Sequence, residues 1–253
     1  MKSMELSGIL LLKILNDVGG TKALKTMGAA AKSDDPQLQD VGSELLGKWN
    51  SMDAAPVLFD LAKTAPTVPY RIRALRGYIG LARKFAMPEQ ERSEMLQKAF
   101  DASRRPDEQQ EVLKVLKLHP STEGLKLAIK AKQVPALKEE ATQATLVIAQ
   151  KLGSKGVDVR ELLVKAGLDK VKLEIIKAEY GAGTIQKDVT AVLEKQVGDL
   201  PLITLTSASY NESFGGDPIP GSVKQLKIQY RINGKSGEAS FPEDALIILP
   251  MPK

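Results

Sequence analysis

The sequence predicts a mainly α-helical fold: a HEAT-like α-solenoid of stacked helical hairpins over residues 1–168, followed by a small α+β domain over residues 171–253 with a mainly antiparallel sheet and one helix. Two features of the apolar pattern support this prediction. Apolar residues recur with the period of an α-helix as far as about residue 168. Beyond that point they alternate with polar residues, as they do in half-buried β-strands.

Four prolines divide the helical part into repeats. Pro36, Pro69, Pro106 and Pro135 are separated by 33, 37 and 29 residues, and each stands where a long amphipathic run begins. Proline suits the first turn of a helix because its missing N–H would have no partner there. One hairpin cannot bury its own apolar stripe, so neighbouring hairpins must stack. Shorter helical runs lie before, between or after the long ones, at 21–31, 53–62, 91–100, 122–131 and 158–168.

These repeats resemble the HEAT type over residues 20–167. The resemblance rests on two helices per unit, a period near 30–40 residues and a proline early in a helix. Armadillo and related arrays share these features, so the repeat type stays open. The resemblance implies an extended surface, lined by the second helix of each unit, that binds a protein partner or a neighbouring domain of a larger chain.

Composition excludes several classes of enzyme. The 253 residues include no cysteine, which rules out disulfides, thiolate metal sites and cysteine nucleophiles. His119 is the single histidine, so a histidine triad has one candidate and a multi-histidine metal site has none. No motif indicates a cofactor or a metal. The sequence therefore predicts a protein that is not an enzyme.

The positive charge is concentrated in the helical part. The chain has a net charge of +5, with 27 Lys and Arg against 21 Asp and Glu in residues 1–170, and 9 against 10 in residues 171–253. An excess of this size permits a nucleic acid or an acidic protein as a partner without requiring either.

The helix predicted to begin near Pro69 carries the most suggestive surface. At 100° per residue its basic residues share one face, which also includes Gly77 and Gly80 and so leaves backbone open to close approach. Arginine pairs with carboxylates and phosphates through its planar fork of donors. A plain solvated face is the alternative. The candidate binding surface consists of Arg73, Arg76, Arg83 and Lys84.

The last 80 residues predict strands at 171–181, 201–209, 222–232, 235–241 and 244–250, with a helix at 186–197. Asn233-Gly234 predicts a tight hairpin between two of these strands. The strand at 222–232 alternates Val223, Leu226, Ile228, Tyr230 and Ile232, with one slip in the alternation. The predicted order is β-α-β followed by an antiparallel meander.

Residues 211–221, NESFGGDPIPG, form a loop rich in turn residues. Asn211, Glu212 and Asp217 make it a candidate loop site, although it lacks the lysine of a phosphate loop and does not precede a predicted helix. A long turn shaped by glycine and proline is the alternative. The enzymatic alternative is carboxylate chemistry in this domain, by one of three acids near Tyr210 or Tyr230: Asp217, Glu243 or Asp244.

Four segments of the C-terminal part resemble a domain of unknown function. They are AEYG (178–181), KDVTAVLEKQV (187–197), FGGDPIPGSVKQLKIQY (214–230) and PEDALIILP (242–250). Similar domains occur at the C-terminus of multidomain bacterial proteins, often exported ones, and more remotely in a J-domain cochaperone group. The resemblance implies an accessory role beside repeat solenoids, haem-binding modules or carbohydrate-processing domains, and no catalytic residues.

The resulting functional prediction is a non-catalytic protein–protein interaction or scaffold module of a larger protein. Its alternatives are phosphate binding to nucleic acid by the basic helical face, and an accessory region of an exported haem- or carbohydrate-processing enzyme. No apolar run is long enough to span a membrane. The compartment stays open: the absence of a signal is compatible with a cytoplasmic chain, and a larger exported parent protein would make it periplasmic or secreted. The oligomeric state stays open.

Overall fold

A computed structural model of the chain describes residues 2–252, and the side chains of residues 8–252. By packing, the chain divides into two compact units, Met1–His119 and Pro120–Lys253. The first unit is entirely helical apart from its loops and a short 3₁₀ turn at Met52–Ala54. Its helices are α1 (Lys2–Val18), α2 (Gly20–Ala30), α3 (Pro36–Gly47), α4 (Ala55–Thr64), α5 (Val68–Lys84), α6 (Glu89–Ala102) and α7 (Pro106–Leu118).

Three helical hairpins stack in this first unit. Helices α2 and α3, α4 and α5, and α6 and α7 pack against each other in sequence, and the hairpins meet through α3 against α5 and α5 against α7. The second helices of the three hairpins therefore form one continuous layer, to which α1 adds beside α3. The predicted fold class of stacked helical hairpins is confirmed, whereas their assignment to the HEAT type stays a prediction.

Helix starts follow local chemistry. Asp35 precedes α3, and its Oδ1 accepts a hydrogen bond of 2.8 Å from the Gln37 N–H, which satisfies a donor that has no partner within the helix. Pro36 and Pro106 are the first residues of α3 and α7, and Pro69 is the second residue of α5. Pro135 instead opens a short 3₁₀ turn that leads into the next helix. A proline therefore marks the beginning of each of the four long helical runs, as the sequence predicts.

The second unit combines five more helices with two sheets. Its elements are α8 (Thr122–Ala131), α9 (Lys138–Gly153), α10 (Arg160–Lys165), β1 (Leu173–Ala182), β2 (Ile185–Asp188), α11 (Thr190–Glu194), β3 (Leu202–Ile203), α12 (Tyr210–Ser213), β4 (Gln225–Ile232), β5 (Lys235–Pro242) and β6 (Ile247–Ile248). Helices α8, α9 and α10 pack on one another, and α9 also packs on β6. Beside that contact the Leu246 N–H donates to Ser154 Oγ at 3.3 Å.

The main sheet has the order β2-β1-β4-β5 with every neighbouring pair antiparallel, and β3 pairs with β6 in a second, two-stranded sheet. The change from helices to strands falls between Lys165 and Leu173, where the sequence pattern changes. The two compact units divide after His119, at a different place from the predicted domain boundary. The predicted division into domains at 168–171 stays a prediction.

The predicted hairpin is confirmed. Ile232 pairs with Lys235 across a two-residue turn, and both turn residues adopt positive φ, 51° at Asn233 and 83° at Gly234. This geometry matches the right-handed twist of the flanking strands and favours asparagine followed by glycine.

Four local predictions differ from the structure. Residues 185–188 form strand β2, so the helix predicted over 186–197 is confined to Thr190–Glu194, because β1 turns back through Gly183 and pairs with β2. The strands predicted over 201–209 and 244–250 are limited to Leu202–Ile203 and Ile247–Ile248, the two-residue segments that pair with each other. Residues 210–213 form the unpredicted short helix α12.

Aromatic packing holds α12 against the main sheet. The rings of Tyr180 on β1, Tyr210 on α12 and Phe214 just after it lie with centroids 5.2–5.7 Å apart, and all three side chains are buried. Such aromatic contacts contribute beyond the area they bury. Helix α12 is therefore fixed to β1 at the start of the loop that the sequence singled out. Within residues 2–252, no helix has both the length and the apolar character needed to cross a membrane.

Candidate functional site

Arg73 of the predicted basic surface connects two hairpins. Its Nη1 donates to Asp40 Oδ1 at 2.5 Å and lies 3.3 Å from both the Asp40 carbonyl oxygen and Ser43 Oγ on α3. Its guanidinium also lies 5.6 Å from the centre of the Tyr70 ring. The donors of Arg73 are therefore directed at the neighbouring helix.

Arg76 is directed at the hairpin on the other side of α5. Its Nη2 lies 3.6 Å from Asp107 Oδ2 on α7. Asp107 Oδ1 also forms an ion pair with Arg105, at 3.0 Å from Arg105 Nε. With 60% of its side chain exposed, Arg76 is screened by solvent, so this pair is weak. Two of the four cations of the predicted surface therefore have a carboxylate partner, and one of these carboxylates, Asp107, is shared with Arg105.

The glycine gap in this surface is closed, which corrects the sequence interpretation at one position. A Cβ placed on Gly77 would lie 2.9 Å from the Gly47 carbonyl oxygen, so α3 covers the backbone at Gly77. A Cβ on Gly80 would meet no atom within 4 Å. The open backbone expected at both glycines is therefore found at Gly80 alone, because the helical period cannot show that α3 crosses α5 at Gly77.

Arg83 and Lys84 lie at the exposed C-terminal end of α5. Lys84 Nζ donates to the neutral amide oxygen of Asn50 at 2.6 Å, which leaves its charge uncompensated. Among the described side chains, no carboxylate forms an ion pair with Arg83. The Arg83 carbonyl oxygen lies 3.0 Å from His119 Nε2 after α7. Uncompensated positive charge on the predicted surface is therefore located at Arg83 and Lys84.

The three residues of the predicted loop site separate into two places. Asn211 contacts Glu243 and Asp217 contacts Lys224, both described next, whereas Glu212 Oε2 accepts a hydrogen bond of 2.6 Å from Ser207 Oγ on the exposed side of α12. Asp217 Oδ1 also accepts from the Ile219 N–H at 2.9 Å, which shapes the turn around Pro218. The structure therefore brings Asn211 and Asp217 into one cluster and excludes Glu212 from it.

Lys224 is the centre of this cluster, which we call the lysine cluster: Tyr180, Asn211, Asp217, Lys224 and Glu243. The Lys224 side chain is 4% exposed, and its Nζ lies 3.1 Å from Asp217 Oδ2, 3.2 Å from Glu243 Oε1 and 3.1 Å from the Ser222 carbonyl oxygen. An ammonium group has three N–H donors, so these acceptors use all of them. Buried charges are tolerated when they are paired and hydrogen-bonded in this way.

The second carboxylate of the lysine cluster holds two further elements. Glu243 Oε1 accepts hydrogen bonds from the Tyr180 hydroxyl at 2.7 Å and from Asn211 Nδ2 at 3.1 Å. Strand β1, helix α12, the loop after it and the turn after β5 thus converge on one ion pair network. No donor of Lys224 is left for a ligand, so the cluster is suited to holding the domain together.

Charge states in the lysine cluster are well defined. The Ile219 N–H and the Lys224 ammonium lower the pKa of Asp217 below its usual value. Burial opposes ionisation of Glu243, but hydrogen bonds from Tyr180, Lys224 and Asn211 outweigh it and lower the pKa of Glu243. Burial also acts against the charged form of Lys224, yet the two carboxylates raise its pKa. At neutral pH the cluster therefore holds one cation and two anions.

The tyrosines considered for carboxylate chemistry are engaged with the backbone. The Tyr210 hydroxyl donates to the Ala245 carbonyl oxygen at 2.5 Å, and Asp244 Oδ1 accepts the Tyr210 N–H at 2.7 Å. The Tyr230 hydroxyl donates to the Pro250 carbonyl oxygen at 2.6 Å, and burial raises the pKa of Tyr230 to about 12. Neither hydroxyl is directed at Asp217, Glu243 or Asp244.

In the part of the chain that the structure describes, no three histidine or acidic side chains come together as a metal site would require. No protein-family model, curated protein or solved structure matches the chain.

Proposed function

We propose that the chain is a non-catalytic interaction module of a larger protein, and that α3, α5 and α7 present the surface that binds a protein partner or a neighbouring domain. The observation that carries this proposal is the continuous layer of these three helices. Stacked repeats of this kind create extended surfaces for binding.

Polar contacts between successive hairpins support a stiff surface. Asp40 with Arg73, Asn50 with Lys84, and the Arg83 carbonyl oxygen with His119 are contacts between residues 33–36 positions apart, about one repeat. A preformed surface loses less conformational freedom on binding than a flexible one.

The preferred partner surface is acidic. Arg83 and Lys84 are exposed and uncompensated at one end of α5, whereas Arg73 and Arg76 are paired with carboxylates. A short patch of positive charge suits carboxylates of a protein partner. A nucleic acid would require positive charge continued along several repeats, and Asp40 and Asp107 interrupt it here.

For the second unit we propose the accessory role implied by its resemblance to the domain of unknown function. Three of the four resembling segments supply residues to the lysine cluster: Tyr180 from the first, Asp217 and Lys224 from the third, and Glu243 from the fourth. This convergence supports the idea that the resembling segments preserve a fold.

A random 16-residue peptide library displayed on phage, panned against the immobilised full chain, tests the interaction proposal. We expect enriched peptides that bind Arg83→Glu/Lys84→Glu at least about tenfold more weakly, since hydrogen bonds to charged groups are worth about 1.5–3 kcal/mol. The matched control is Lys22→Glu/Lys25→Glu, which makes the same charge change at exposed positions of α2. Failure to enrich any peptide, or equal loss in both variants, would contradict the proposal.

A labelled DNA duplex provides the nucleic-acid arm of this test. Fluorescence anisotropy at about 50 and 200 mM salt separates the two partner classes, because each phosphate contact releases a counterion and makes affinity fall with salt. Weak duplex binding is expected. Tight, steeply salt-dependent binding that Arg83→Glu/Lys84→Glu abolishes would replace the protein partner with a nucleic acid.

A further inference from the structure

A cavity of about 240 Å³ lies between the second and third hairpins of the first unit. It is smaller than the roughly 300–1,000 Å³ of typical small-molecule pockets, and therefore suits a single side chain better than a whole ligand. Val68 lines the cavity and is 49% exposed. The apolar lining consists of Ala62, Val68, Ile72, Leu75 and Ala102.

Three arginines complete the lining. Arg71 comes from the first turns of α5, and Arg104 and Arg105 come from the loop between α6 and α7. Arg105 forms an ion pair of 3.0 Å with Asp107. Among residues with described side chains, neither Arg71 nor Arg104 has a carboxylate partner. Two uncompensated guanidinium groups therefore border an apolar cavity.

The local sequence supplies no carboxylate to Arg71. Residues 61–88 include six basic residues and no Asp or Glu, so neither the last part of α4 nor α5 supplies a carboxylate. Charges in such a patch repel one another, and an anion that binds there relieves the repulsion.

The loop that carries Arg104 and Arg105 is held in place by the buried side chain of Glu108. Glu108 is 5% exposed, and its Oε2 accepts the Arg104 N–H at 2.8 Å and the Arg105 N–H at 3.2 Å. The carboxylate of Glu108 also lines the cavity, so three cations face one anion there. Because Glu108 accepts backbone donors and Arg105 is paired with Asp107, the side chains that stay free for an external anion are those of Arg71 and Arg104.

We propose that this cavity binds an acidic segment of a protein partner, with one apolar side chain inserted between the hairpins and a carboxylate on either side of it paired with Arg71 and Arg104. The proposal rests on the proposed interaction function and names the chemistry of the partner. The apolar lining accounts for the inserted side chain, since a small inorganic anion would leave that lining in water. Bidentate pairing of arginine with carboxylate accounts for the flanking acids.

The probe for this site is the peptide acetyl-GELDG-amide, titrated into ¹⁵N-labelled full chain and followed by the Nε–H signals of the arginines. Two control peptides separate the contributions: acetyl-GQLNG-amide removes the charges, and acetyl-GEGDG-amide removes the apolar side chain. We expect saturable shifts of the Arg71 and Arg104 signals with the first peptide and at least about tenfold weaker binding of either control, given the size of charged hydrogen bonds and of burying a leucine.

Two variants locate the binding on the protein. Arg104→Glu reverses an exposed charge and should weaken binding at least about tenfold. Arg71→Gln removes the second charge and should also weaken binding of the peptide. Thermal melting shows whether Arg104→Glu is folded, and if it is not, Arg71→Gln alone tests the site. The matched control Lys25→Glu on α2 makes the same charge change as Arg104→Glu and should leave the affinity unchanged.

Several results would overturn the proposal. Equal binding of the charge-free peptide, equal weakening by Lys25→Glu, or the same arginine shifts with sodium acetate or inorganic phosphate alone would each do so, the last one indicating a free-anion site. If the peptide library yields partners that bind Arg104→Glu and Arg71→Gln as tightly as wild type, the cavity proposal fails and the interaction function stands. If the peptide binds here but the library yields no partner, the interaction function fails.

Discussion

Gly77 and Gly47 touch backbone to backbone where α5 crosses α3. A Cβ on Gly77 would lie 2.9 Å from the Gly47 carbonyl oxygen and 3.1 Å from its Cα, and a Cβ on Gly47 would lie 3.3 Å from the Arg73 carbonyl oxygen. Neither glycine has positive φ, so both are required by close approach and not by backbone conformation. The first two hairpins are joined at this crossing.

Replacing Gly77 by alanine should separate these helices. Because the added methyl group meets backbone, which cannot rotate away, we expect Gly77→Ala to lower the free energy of unfolding by about 1–3 kcal/mol. The control is Gly80→Ala, one turn later on α5, where no atom lies within 4 Å and alanine should stabilise the helix by up to about 1 kcal/mol. Urea denaturation measures both. Equal effects of the two substitutions would refute the crossing.

Arg73 should matter for stability more than Arg83. Because 39% of the Arg73 side chain and 48% of the Asp40 side chain are exposed, solvent screens their pair, and we expect Arg73→Ala to cost only about 0.5–1 kcal/mol. Arg83→Ala should have no measurable cost, since its side chain is exposed. A double-mutant cycle with Asp40→Ala checks the assignment, and a coupling energy of zero would argue against it.

Removing Lys224 should destabilise the second unit. In Lys224→Met the carboxylates of Asp217 and Glu243 lose the cation between them and stay close together in a partly buried place. The control is Lys227→Met on the exposed face of β4. We expect a clear drop in the unfolding midpoint for Lys224→Met and almost none for Lys227→Met. If the lysine cluster did not contribute to stability, both variants would have the same unfolding midpoint.

Acid should destabilise the second unit through the same cluster. The pKa values of Asp217 and Glu243 are lowered in the folded state, so the unfolded chain binds more protons at low pH. Their stabilisation is complete above the unfolded pKa values of about 4 and is lost as pH falls through the folded ones. The raised pKa of Lys224 acts only at the alkaline end, where its contribution is lost as pH rises.

Asp217→Asn isolates one part of this effect. We expect wild type to lose stability below about pH 4 in thermal unfolding, and Asp217→Asn to be less stable at neutral pH but to lose less on acidification, because one titrating group is gone. Parallel curves for the two proteins would show that Asp217 does not take part.

The helical half of the fold could be predicted closely because its signals are local. Helix α5 begins at Val68, one residue before the predicted start at Pro69. What the helical period could not supply is the set of neighbours. Asp40 and Asp107 lie more than thirty residues from Arg73 and Arg76 in sequence, and only the stacking of hairpins brings them to the predicted surface.

The lysine cluster was missed although the sequence contains a signal for it. Counting back by two from Leu226, Ile228 and Tyr230 places Lys224 on the inward face of the strand, and the slip in the alternation puts Val223 outside, where it is 87% exposed. A lysine at an inward position of a strand indicates a buried partner. The partners themselves, Asp217 and Glu243, depend on loop conformations that no period describes.

The lysine cluster also bears on the time course of folding. Its members are drawn from residues 180–243, and β1 pairs with β4 across some fifty residues of intervening chain, whereas each hairpin of the first unit joins helices that are adjacent in sequence. Chains whose contacts are distant in sequence form them more slowly, because a long loop must close before any contact compensates for it. During refolding the helical signal of the first unit should therefore recover before the Tyr180 and Tyr230 rings are enclosed. The ion pairs of Lys224 would be among the last native contacts to appear.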